Sequence, residues 1–84
     1  MNDFTDKQLK NIAYFRTNLT EFLNNELLRN KYLVIVNEKI QNSFDTIELA
    51  VNYAITTGLL PGEFIIQQVI NEDEVVNFVK AAIY

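Results

Sequence analysis

Cysteine and histidine are both absent from this chain, and together the two absences remove most of the chemistry that a small domain carries. Without cysteine there is neither a disulfide nor a zinc–thiolate site to support a small core. Without histidine the commonest general base and the commonest transition-metal ligand are missing. Catalysis would have to rest on carboxylates or lysines in a cleft, so the expectation is a non-enzymatic protein with no cofactor and no metal. Basic residues are also few: seven Lys and Arg stand against eleven Asp and Glu, for a net charge of −4. Lys7, Lys10, Arg16, Arg29, Lys31, Lys39 and Lys80 form no run, which argues against a nucleic-acid or anionic-membrane partner. No apolar stretch approaches the roughly 20 residues of a membrane span. Met1-Asn2-Asp3-Phe4 lacks the basic start and apolar run of a secretory signal, so a cytoplasmic location is expected. Tryptophan is missing too, glycine occurs twice and proline once, which confines conformational breaks to a few places.

What the chain does have is apolar content, 49% of residues, with six Phe and four Tyr. That supports one densely packed domain over residues 1–84, with no room for a second core. It also has repeated helix-start grammar. Phe4-Thr5-Asp6-Lys7-Gln8-Leu9, Phe44-Asp45-Thr46-Ile47-Glu48-Leu49 and Ile70-Asn71-Glu72-Asp73-Glu74-Val75 share one pattern: an apolar residue, a capping residue, two spacers, Glu or Gln, and an apolar residue. In each, the second residue can accept from first-turn amides while the Glu or Gln reaches back, as in a capping box.

From Thr5 to Leu28, Leu9, Ile12, Phe15, Leu19, Phe22, Leu23 and Leu27 recur at three- and four-residue steps, which predicts a long helix over 5–28. Arg16 falls inside that stripe and reads as a side chain snorkelling at its edge. Tyr32-Leu33-Val34-Ile35-Val36 is apolar at every position, as a central strand covered on both faces should be. Asn37-Glu38-Lys39 reads as a reversal, with Asn37 taking φ > 0. Ile40 to Ser43 is polar enough for an edge strand, so the hairpin spans 32–43. A second helix over 46–57 is capped by Asp45 and Glu48 and stopped by Gly58. Pro61-Gly62 fits the centre of a type II turn leading to a strand over 63–70. A C-terminal helix over 72–84 then presents Val75, Val76, Phe78, Val79, Ala82 and Ile83 on one broad face. The fold class is therefore α+β, in the order α-β-β-α-β-α, with a three-stranded antiparallel sheet of order 2-1-3. The alternative, with the third strand parallel beside the second, would bury the more polar strand.

The acids of this chain have structural work. Asp45 and Glu48 belong to a helix start, and Glu72, Asp73 and Glu74 sit where a helix dipole favours negative charge by roughly 0.3–1 kcal/mol each. As a cation site the triplet is poor, because successive helical residues point about 100° apart and no turn glycine accompanies them. Gly58 and Gly62 bracket Leu-Leu-Pro and open no phosphate-binding helix. Apolar residues exceed what so small a sheet and its helices obviously hide: either the C-terminal helix packs within the monomer, across the sheet or against the first helix, or the surplus apolar surface points to a partner. The expected function is a protein–protein interaction module that forms a homodimer, with Leu49, Tyr53, Val76, Val79, Ile83 and Tyr84 as candidate partner-binding residues. Edge-to-edge pairing of the third strand across a twofold axis is a second route to the same end. The alternative function is an acidic, antitoxin-like inhibitor that blocks a basic surface of a partner protein.

Lys31-Tyr32-Leu33-Val34-Ile35-Val36, then Ser43-Phe44-Asp45-Thr46 with Glu48 and Ala50, then Leu60-Pro61-Gly62-Glu63-Phe64-Ile65-Ile66-Gln67 together resemble a group of small bacterial domains of unknown function. The resemblance covers about half the chain. It implies a hairpin, helix and strand of the kind just derived, and it implies no activity.

Overall fold

The structure, a computed structural model, describes residues 4–71. The chain runs through α1 (Asp6–Leu23), β1 (Tyr32–Val36), β2 (Lys39–Phe44), α2 (Ile47–Thr57) and β3 (Phe64–Gln68). It is an α+β fold whose sheet has the order β2-β1-β3 with both pairings antiparallel. The helix expected over 72–84, and most of the hexad that would start it, lie outside the described residues.

The first hexad forms a complete capping box. Thr5 Oγ1 accepts from the Gln8 N–H at 3.1 Å, and the Thr5 N–H donates to Gln8 Oε1 at 3.0 Å. The second hexad is shifted by one residue. Thr46, not Asp45, caps α2, its hydroxyl accepting from the Leu49 N–H at 3.2 Å. Asp45 is engaged elsewhere, in an ion pair with Lys31. With Thr46 as the cap, Leu49 occupies the position from which a Glu or Gln would reach back, so the box expected of Asp45 and Glu48 is replaced by a single bond.

Helix α1 stops at Leu23, five residues short of the span that the apolar periodicity suggests. Two consecutive asparagines are the cause. The Asn24 N–H is shared between the carbonyls of Thr20 and Glu21 at 3.2 Å each, and the Asn25 N–H donates to the Phe22 carbonyl at 3.1 Å. These i→i−3 bonds tighten the last turn. Asn25 Oδ1 then accepts from the Leu27 N–H at 2.9 Å, and Arg29 Nε donates to the Leu23 carbonyl at 2.9 Å, so local side-chain bonds compete with helical ones. Leu27, read as part of the inner stripe, is 79% exposed.

At the hairpin, Val36 pairs with Lys39 across a two-residue turn in which Asn37 (φ 52°) and Glu38 (φ 59°) are both left-handed, the type I′ geometry that matches strand twist. Gly58 (φ 83°) ends α2, and Gly62 (φ 93°) sits in the turn closed by a 3.0 Å bond from the Glu63 N–H to the Leu60 carbonyl, as Pro-Gly predicts. Strand β3 is shorter than the expected 63–70. Beyond Gln68, the Val69 N–H and carbonyl bond Lys31 and Asn30 just ahead of β1.

Leu33, Val34, Ile35 and Val36 are buried in succession. Successive strand residues point to opposite sides, so both faces of the sheet are covered. Helix α1 packs against β3 and contributes Ile12, Phe15, Leu19 and Phe22 to the core, while α2 touches all three strands and contributes only Ala50 and Ala54. Those two small residues let α2 sit close to the sheet, with Ile47, Val51 and Tyr53 partly buried around them.

Candidate functional site

Two groups of residues stand out once the core is assigned. The first lies where α2 overhangs β2. Leu49 and Tyr53 are one helical turn apart and therefore neighbours on one rim of α2. Leu49 is half exposed, whereas Tyr53 is partly buried, its ring 5.2 Å from that of Phe44 on β2 and tilted by 46°. That geometry is a favourable aromatic pair, and it fixes the direction of the rim: Leu49 and Tyr53 face the open edge of the sheet. Ile55, also exposed, is about 120° away from Leu49 around the helix at 100° per residue and belongs to the opposite rim. Of the expected partner-binding residues, Leu49 and Tyr53 thus come together with Phe44, while Val76, Val79, Ile83 and Tyr84 lie outside the described residues.

The edges of the sheet differ in kind. Phe64, Ile65, Ile66 and Gln67 of β3 are each at most 3% exposed, and Gln8 Nε2 donates to the Phe64 carbonyl at 3.2 Å. With α1 packed against β3, that edge is covered, which argues against the strand pairing through the third strand expected as a second route. Strand β2 is open instead: Lys39, Gln41 and Asn42 are exposed, and Ile40, Ser43 and Phe44 are half-buried. The register of the β1–β2 ladder slips between Val34 and Ile35, and the Ser43 N–H donates to Asn42 Oδ1 at 2.8 Å.

The second group is polar. Lys7, Lys10, Asn11, Asn37 and Glu38 line a half-open hollow of about 200 Å³ between the start of α1 and the hairpin turn. Its floor is Asn11, 1% exposed, whose Nδ2 donates to the Glu63 carbonyl at 3.2 Å and whose Oδ1 accepts from the Glu38 N–H at 2.8 Å. Lys7 forms an ion pair with Glu63 at 3.5 Å. Both hydrogen-bonding ends of Asn11 are occupied and Lys7 is paired with Glu63, so the residues around the hollow fasten α1 to the hairpin turn and to the start of β3. Sequence reasoning missed Asn11, although a signal existed: it lies one helical step from Gln8 and Phe15 on the apolar side of α1, where an unsatisfied amide would be costly.

Among the described residues no group of three or more acidic, histidine or cysteine side chains converges on a possible metal position, and no helix is long and apolar enough to cross a membrane. Compared with known proteins, the chain matches no family model, no curated protein and no solved structure.

Proposed function

We propose that this protein is a non-catalytic interaction module that associates with itself, and that the rim of α2 beside the open edge of β2 is where it does so. The observation that carries the reading is Leu49: a large aliphatic side chain, half exposed, adjoining the Phe44–Tyr53 ring pair and the outer edge of β2, which pairs only with β1. Burying such a side chain fully stabilises an association by about 1–2 kcal/mol, and aromatic neighbours add to it. The reading includes a cytoplasmic location and needs no cofactor. Light scattering over a concentration series tests it. The native chain is expected to pass from monomer to dimer as concentration rises, and Leu49→Asp to shift that transition at least tenfold upward. A native chain that stays monomeric throughout would refute self-association.

The net charge of −4 favours one other reading, an acidic antitoxin-like inhibitor that covers a basic surface on a different protein. Association with such a partner weakens steeply with salt, whereas apolar self-association does not.

A further inference from the structure

We propose that two copies pair antiparallel through β2, joining their sheets into one of six strands, with Leu49 and Tyr53 of the two α2 helices meeting above the junction. The inference rests on the self-association just proposed and specifies its geometry. Of the two sheet edges, β3 is sealed by α1 and β2 is open. The charge pattern of β2 then selects its occupant. Lys39 stands at one end of the strand, Asp45 follows the other end, and the residues between, Ile40 to Phe44, are uncharged. A second β2 laid antiparallel brings each Lys39 opposite the partner's Phe44 and Asp45, so two opposite-charge contacts flank a neutral centre. A parallel copy would set lysine beside lysine. Asp45 is 71% exposed at its side chain even while paired with Lys31, and the Lys39 ammonium has no ion pair among the described residues.

The edge carries features that discourage indiscriminate pairing: a terminal lysine, a register slip, and a Ser43 amide occupied by Asn42. Such features blunt an edge against strands in general. A self-copy answers the lysine with its own carboxylate and offers amide side chains to displace the Asn42 bond, which makes the pairing selective. The helices fit the same arrangement. If each α2 sat above its own β1, the two axes would be about 14 Å apart, three strand spacings of ~4.8 Å. Because α2 also touches β2, the gap is smaller, and helices in direct contact stand 8–10 Å apart. Leu49 and the partly buried Tyr53 are the large side chains on the rim that faces this gap, which accounts for the exposure of Leu49.

The chain has no cysteine of its own, so single cysteines report contacts without background. Gln41→Cys and Asn42→Cys flank the midpoint of β2. In the full chain, treated with a short bis-maleimide and run on a denaturing gel, one or both are expected to give a covalent dimer, with Lys10→Cys on α1 as the negative control. Lys39→Glu is expected to raise the dimer dissociation constant several-fold and Lys39→Glu with Asp45→Lys to restore it. Should the native protein dimerise by light scattering while neither β2 variant cross-links, the β2 junction is wrong and another surface holds the dimer. Should the native protein stay monomeric at every concentration, self-association itself is wrong.

Discussion

At the scale of single residues, three buried amides divide into two kinds. Gln8 and Asn11 each join α1 to the start of β3, and Asn11 also holds the hairpin turn through the Glu38 N–H. Truncating Asn11 to Ala leaves that N–H and the Glu63 carbonyl without their partner, and an unsatisfied buried group costs about 1–3 kcal/mol. Asn11→Ala should therefore lose about 2 kcal/mol, read from the urea midpoint. Gln67 is the opposite case. It is 2% exposed, and its Oε1 has no hydrogen-bond partner among the described residues, so burial there carries a desolvation cost. Gln67→Leu keeps the volume and removes the unpaired oxygen, and should raise stability by about 1 kcal/mol. Equal losses from both variants would show that the oxygen of Gln67 is satisfied in solution.

At the scale of elements, the turns show how far the sequence was legible. Gly58 and Pro61-Gly62 announced two chain reversals because only certain residues adopt the required dihedrals. Gly62 is constrained twice, by φ 93° and by Thr5, whose Cγ2 would lie 3.1 Å from an added Cβ, whereas nothing crowds Gly58. Gly62→Ala should thus destabilise by more than the 1–2 kcal/mol of a left-handed alanine, and Gly58→Ala by about that amount, as thermal melts of the two variants would show. The left-handed Glu38 was not legible. Nothing about a glutamate announces φ 59°; the conformation is imposed by the β1–β2 register and by Asn11. Glu38→Gly restores the Asn-Gly pair that type I′ turns favour and should stabilise the hairpin by about 0.5–1 kcal/mol. The central strand, the sheet order and the first capping box were readable because each rests on local pattern. The end of α1 and the α2 cap were not, because both depend on which of two adjacent polar residues finds a partner elsewhere: Asn25 bonds Leu27, and Asp45 pairs with Lys31. Of the six candidate partner-binding residues, Leu49 and Tyr53 lie among the described residues. Leu49 and Tyr53 are related by helical spacing, but the closed β3 edge and the open β2 edge follow from where α1 comes to rest.

For the whole molecule, charge and apolar area act in opposite directions on association. Each copy carries a net −4, so two copies repel at distances comparable to the Debye length of roughly 10 Å at 0.1 M salt. The contacts proposed between them are short-ranged: strand pairing, the Leu49–Tyr53 rim and two Lys39–Asp45 pairs. Rim ion pairs contribute about 0–1 kcal/mol each and are weakened by salt, while the general repulsion is screened by the same salt. Because the repulsion involves the full charge of both copies and the attraction only two exposed pairs, screening should on balance favour the dimer. Between 20 mM and 300 mM NaCl the dissociation constant should fall or stay level by analytical ultracentrifugation. An acidic inhibitor bound to a basic partner shows the reverse, since there the long-range term is the attraction itself and screening removes it. A dissociation constant for self-association that rose tenfold over this range would mean that ion pairs, not apolar contact, hold the copies together, and would shift the weight from Leu49 and Tyr53 to Lys39 and Asp45.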